Sequence, residues 1–270
     1  MGIERLHDKA YGLGAEEHRI RDLENRTHCA YNFNEESTRK AFDDFWRTID
    51  EGTTVEECAK YIHKLPDIAT VSGVDGVDGL NAMVLGTARG FPHKGIKRRN
   101  IIELDEEVEG ITAPKIYSEE VLAKAAALEA ELIAGRRSNV VFKASMKDEP
   151  CKITKIKRRV FAGCPETFTF TGRKHLLTTV KFIQDRPDVF ECSVGIDVHS
   201  PEWSVRMKKI AEYGEHRVIA GDYKSFDGRM SPRFMLMAFK IIMKLCEKSG
   251  NFDAEDLRCI RGIATEVCFP

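Results

Sequence analysis

The sequence predicts a helix-rich α+β fold. Helix start and stop signals recur along the chain, and β-branched or aromatic runs of strand length are few and short. Hydrophobic residues make up 42% and charged residues 31% of the 270 positions, the balance of a globular chain with a buried core. The length fits one large domain or two small ones.

Taken in order, Phe42, Phe45, Trp46 and Ile49 fall at i, i+3, i+4 and i+7 and predict a helix over 36–50. Thr53 with Glu56 fits a capping box opening a short helix that stops before Pro66. The five glycines between Val71 and Gly90 predict an irregular loop. Ser118, followed by Glu119 and Glu120, caps an Ala/Leu-rich helix running toward Gly135. Strands are expected over 139–143, 159–161 and 217–220. Ser200-Pro201 opens a helix over 202–213 with Gly214 as its stop, and Ser231-Pro232 repeats the device over 233–248 before Gly250. Asp253 caps a last helix running toward Glu266. Trp46, Trp203 and Phe239 lie on the apolar faces of these helices and are expected in the core.

Composition narrows the function classes. Forty-two Lys and Arg against 43 Asp and Glu give a net charge of −1, so the whole chain carries no general attraction for nucleic acid. The longest unbroken apolar run, 234–239, is far short of the roughly 20 residues of a membrane span. The polar N-terminus has no signal-peptide core, and Leu6 stands where a myristoylation signal needs Ser or Thr. The eight cysteines are scattered with no Cys-x-x-Cys, which favours reduced thiols over a zinc site or a disulfide framework. His93, His175 and His199 lack the spacing of metal ligands.

Charge is concentrated locally. Between Lys143 and Arg159 seven basic residues (143, 147, 152, 155, 157, 158 and 159) face only Asp148 and Glu149. A second basic cluster runs from His93 to Arg99. Either is a solvated surface loop or a cationic groove for phosphates. Asp222 and Asp227 flank a strand-to-helix turn after the apolar run 218–220, either as ordinary turn aspartates or as a carboxylate pair aimed at a metal.

Three motifs together resemble viral RNA-directed RNA polymerases. The segment 222–227 is similar to their motif A, 147–161 to motif F, and Thr87-Ala88-Arg89-Gly90-Phe91-Pro92 to motif G, in the family's order G, F, A. Linking phrases resemble picorna-like viruses, the marnavirus-like group especially: 159–165, Val194-Gly195-Ile196 with Pro201-Glu202-Trp203, and 261–266. The resemblance spans roughly 87–270 and implies a cupped right-hand fold, with fingers over 1–193 and the start of the palm over 194–270.

It also implies roles. Asp222, with the carbonyl of Tyr223, is expected to hold Mg²⁺ (or Mn²⁺) for two-metal nucleotidyl transfer, and Asp227 to face the ribose of the incoming ribonucleoside triphosphate. Lys147, Lys157 and Arg159 are expected at the nucleotide, and Thr87, Gly90, Pro92, Lys155 and Arg158 at template and product RNA. No Gly-Asp-Asp tripeptide of motif C occurs, and Ser249-Gly250 does not fit motif B. The chain is therefore expected to be a fragment, inactive alone, whose partner is the remainder of the viral polymerase or polyprotein in a replication complex of the host cytoplasm, without membrane insertion of its own. A non-catalytic RNA-binding remnant is the alternative. An unrelated phosphotransferase using Asp222 and Asp227 is a third reading, and the motif F run argues against a reverse transcriptase.

Overall fold

The computed structural model describes residues 34–146, 160–223, 226 and 230–269. Four of the described helices open on a side chain that accepts one of their free amides. Helix α1, Glu35–Glu51, is capped by Asn34, whose side chain accepts the Ser37 amide at 2.9 Å. Helix α2, Val55–Tyr61, begins one residue later than the sequence predicts. Its capping box joins Thr54 and Glu57, at 3.0 and 3.1 Å, instead of Thr53 and Glu56. Thr53 is buried, and its hydroxyl donates to the Ile49 carbonyl at the end of α1.

Helix α3, Asp67–Ser72, takes the first two residues of the expected irregular region. Strands β1 (Ile101–Glu103) and β2 (Lys115–Tyr117) then pair antiparallel, Ile101 opposite Tyr117. Helix α4, Glu119–Ile133, follows Ser118 as expected, although the Ser118 side chain makes no capping bond. Strands β3 (Lys143–Met146) and β4 (Val160–Gly163) pair antiparallel, Met146 opposite Val160. The expected strand over 139–143 therefore starts only at its last residue. Asn139 adopts φ +54°, the left-handed region, and the neighbouring Val140 and Phe142 pack into the core instead of a ladder.

Helix α5, Glu166–Gln184, is the axis of the fold. Its phenylalanines reach three separate apolar clusters. Phe182 packs with Ile49, Ile62, Leu245 and Ile260; Phe170 with Val71, Met83, Tyr117 and Val121; Phe168 with Leu132, Cys259 and Ile263. The short helix α6, Pro187–Phe190, adds Phe190 to the first cluster.

Helix α7, Pro201–Ile210, buries none of its residues and stops three residues short of the predicted Tyr213. Trp203 on it is about one-third exposed, not the core residue expected. Helix α8, Pro232–Ser249, is capped by the Ser231 side chain and closed by Gly250 at φ +71°. Helix α9, Ala254–Cys268, has a capping box between Asp253 and Asp256. It crosses α4 so closely that a Cβ on Gly262 would lie 2.7 Å from the Leu132 Cβ. Trp46 and Phe239 are partly buried against the first and third clusters.

The strand expected over 217–220 does not form. A 3₁₀ turn, Glu215–Arg217, leads into irregular chain with Val218 and Ile219 exposed. A strand needs a neighbour for its amides and carbonyls, and among the described residues none lies beside this one. Asp222 accordingly follows a loop and not a strand end. The six described cysteines are free thiols, and no described helix is long and apolar enough to cross a membrane.

Candidate functional site

The loop holding Thr87, Gly90 and Pro92 is a small closed structure. Ala88 bridges Ile96, the Arg89 amide donates to the Gly95 carbonyl at 3.0 Å, and the Lys97 amide donates to the Thr87 carbonyl at 3.0 Å. Lys97 also places its ammonium 2.6 Å from the Thr87 hydroxyl. Burial lowers the pKa of that ammonium below the usual lysine value, while Cys164 and Glu166 act against the shift. Lys94, Arg98 and Arg99 stay exposed beside it.

This loop is fastened to the chain leaving the basic run. The Glu166 amide donates to the Arg89 carbonyl at 2.7 Å, and Arg89 Nε donates to Glu166 Oε1 at 2.6 Å. Gly90, at φ +83°, lies so near the link between β4 and α5 that a Cβ there would meet the Cys164 carbonyl oxygen at 2.5 Å. Only glycine suits both demands. Thr87, Gly90 and Pro92 thus share one loop, held against the residues that follow the basic segment.

Lys147, Lys155, Lys157, Arg158, Arg159 and Asp227 lie outside the described residues. The described strands on either side of the basic run are β3 and β4, with Val160 buried and Phe161 half-exposed. The loop leading into β3 is locked by Glu266 of α9, which accepts the Ser138 amide at 2.7 Å and its hydroxyl at 2.9 Å, and pairs with Arg137. Burial alone would raise the Glu266 carboxyl; the Ser138 and Arg137 bonds outweigh it and hold the group below its usual value.

Asp222 and Tyr223 are exposed, and the Tyr223 ring lies 5.5 Å from that of Phe226. Among the described residues no hydrogen bond or ion pair engages the Asp222 carboxylate, and none ties it to the 87–97 loop. Its oxygens are the hard donors a Mg²⁺ ion prefers. Among the described residues, however, no group of three or more His, Cys, Asp or Glu is placed to hold a metal. The donor chemistry fits such an ion, and the number of donors gathered among the described residues does not.

Glu166 and Asn100 are not legible as site residues in the sequence. The sequence reading places no helix over 166–184, and nothing in the sequence marks the Glu166 carboxylate as fully buried.

Comparison with known proteins gives a consistent result. The family profile described as viral RNA-dependent RNA polymerase matches residues 20–270. The RNA1 polyprotein of Red clover mottle virus is 29% identical over 193 residues, covering 65% of this chain and 10% of that polyprotein. The replicase polyprotein of Drosophila C virus is 33% identical over 109 residues, covering 39% of this chain and 6% of that one. Among solved structures, the Sicinivirus 3Dpol RNA dependent RNA polymerase superposes with a TM-score of 0.62 at 14% identity, covering 87% of this chain and 45% of that polymerase. The chain therefore spans about a tenth of the first polyprotein and less than half of the solved polymerase.

Proposed function

The chain belongs to the viral RNA-dependent RNA polymerase family, and from that premise we propose that it supplies the template-entry loop, the basic nucleotide channel and the first metal-binding carboxylate of such an enzyme. The observation that carries the reading is the family match along 20–270, within which the 87–92 loop, the basic run and Asp222 follow one another in the family's order. Residues 1–193 act as fingers and 194–270 as the beginning of the palm.

The reaction joins the 3′-hydroxyl of a growing RNA to the α-phosphate of a template-matched ribonucleoside triphosphate and releases pyrophosphate. Asp222 and the Tyr223 carbonyl are the ligands this chain contributes to Mg²⁺ or Mn²⁺, which supplies Lewis-acid stabilisation of the reacting oxygens when bound. Lys147, Lys157 and Arg159 neutralise the triphosphate, Arg159 with the planar fork suited to two phosphate oxygens. Lys155 and Arg158 contact the RNA backbone. The Asp227 carboxylate accepts a hydrogen bond from the ribose 2′-hydroxyl, which a deoxynucleotide lacks. Thr87, Gly90 and Pro92 shape the entry of the template.

With one such carboxylate and no Gly-Asp-Asp tripeptide, the chain alone binds RNA and does not extend it. It works as part of a larger polymerase or polyprotein, in a replication complex of the host cytoplasm.

Salt dependence of RNA binding tests the basic channel. Replacing Lys147, Lys157 and Arg159 together by Ala is expected to weaken binding of single-stranded RNA and to flatten its dependence on salt. The slope should fall by at most about one unit for each phosphate no longer neutralised. Filter binding across a salt series measures both. An unchanged slope would make the run an ordinary solvated surface.

A further inference from the structure

We propose that Glu166 is a positioning residue, whose buried carboxylate sets the template-entry loop at a fixed spacing from the strand that leaves the basic channel. The proposal rests on the reading that the 87–92 loop meets RNA. Glu166 is fully buried. Its Oε1 receives Arg89 Nε at 2.6 Å and Asn100 Nδ2 at 3.1 Å. These donors stand at the two ends of the loop segment, so one carboxylate gathers both. The Asn100 carbonyl in turn accepts the Ser118 amide at 2.8 Å, which ties the same point to the start of α4.

The anchor sits in the first turn of α5, directly after β4 and three residues past Gly163. The Arg89 carbonyl accepts the Glu166 amide, and Gly90 packs on the backbone of Cys164 and Pro165. The loop is therefore held by main chain, side chain and close contact at one place. Glu166 Oε2 has no hydrogen-bond partner, so the buried charge relies on Arg89 for its compensation. A buried ion pair adds little stability over an apolar pair of the same shape. What this arrangement adds is geometry: a planar guanidinium received at one oxygen, beside an amide, fixes both distance and direction.

Glu166→Gln, Arg89→Lys and the double variant Arg89→Gln/Glu166→Gln, each made in the full chain, test this. Three quantities are read: backbone hydrogen exchange over 87–100, affinity for a single-stranded oligoribonucleotide with its salt slope, and the thermal unfolding midpoint. Glu166→Gln is expected to speed exchange of the 87–97 amides and to weaken RNA binding, each by about tenfold, the factor for one lost hydrogen bond to a charged group. The salt slope stays at its wild-type value, because no phosphate-binding group is removed. The neutral double variant, which can pair amide with amide, recovers part of the slow exchange. Should Glu166→Gln fail to fold, Arg89→Lys, which keeps the charge and loses the planar donor, is expected to show the same faster exchange. Wild-type exchange and wild-type affinity in the folded variants would overturn the proposal, as would faster exchange with unchanged RNA affinity. RNA that gives the wild-type loop no protection from exchange would contradict the polymerase reading itself, whatever Glu166 does in the free chain.

Discussion

Asn in place of Asp222, in a polymerase that contains this chain and the family's remaining motifs, is expected to lower template-dependent incorporation at least about 100-fold with the fold intact. The change is nearly isosteric but replaces an ionised oxygen pair by one neutral carbonyl, a far weaker ligand for a hard divalent ion. Loss of one preorganised charge-stabilising group at a reacting centre costs roughly 10²–10³ in turnover. No stability cost is expected, because Asp222 is exposed and its carboxylate engages no described neighbour. Steady-state turnover on a primed homopolymer template, with circular dichroism as the control for folding, checks the expectation. Turnover within about threefold of wild type, no more than the loss of one ordinary hydrogen bond produces, would remove Asp222 from the metal site.

Phe182→Ala is expected to cost about 3–5 kcal/mol of folding stability. The ring is buried in the cluster where α1, α2, α5, α6, α8 and α9 meet. It stands edge-on to Phe190 with centroids 6.2 Å apart, and the Arg186 guanidinium covers its face at 3.7 Å. Removing it leaves a void that side chains from all of these elements cannot fill at once, and it strips the guanidinium of its apolar support. That loss is a large share of the total stability of an ordinary domain. Urea unfolding followed by tryptophan fluorescence measures it, Trp46 lying against the same cluster. A loss below about 1 kcal/mol, the size of a surface change, would mean that this cluster does not hold the two halves of the chain together.

What is legible in the sequence depends on whether its signals are local. Ser231-Pro232 with Gly250, and Asp253 with Asp256, act within a few residues of themselves, and both helices form as expected. Thr53 and Thr54 are adjacent candidates for one cap. The choice between them falls to burial, since Thr53 closes the end of α1 from inside the core. Helix α5 carries no such signal. Thr171, His175, Thr178 and Thr179 make up its buried face as much as phenylalanine does, so no apolar period marks it. The run 217–220 has strand-forming side chains, but a strand is completed by a partner that its own residues cannot specify.

The same division holds at the candidate site. Gly90 and Pro92 stand out by the resemblance to motif G, and the structure gives Gly90 both a positive φ and a close approach that only glycine accepts. Asp222 stands out by its place in the segment that resembles motif A, yet its expected strand-end support is missing among the described residues. Glu166 carries no mark in the sequence, because its burial beneath Arg89 and Asn100 depends on elements far away in sequence.

Template-directed synthesis is the most direct test of the central claim. The chain is prepared alone and joined to the motif B- and motif C-bearing part of a related polymerase, and each protein is given primed homopolymer RNA, Mg²⁺ and the four ribonucleotides one at a time. The account predicts that the joined protein incorporates only the nucleotide complementary to the template, that the chain alone incorporates none, and that Asp222→Asn abolishes the signal. Synthesis by the chain alone that survives Asp222→Asn, or incorporation by the joined protein that ignores the template, would contradict it.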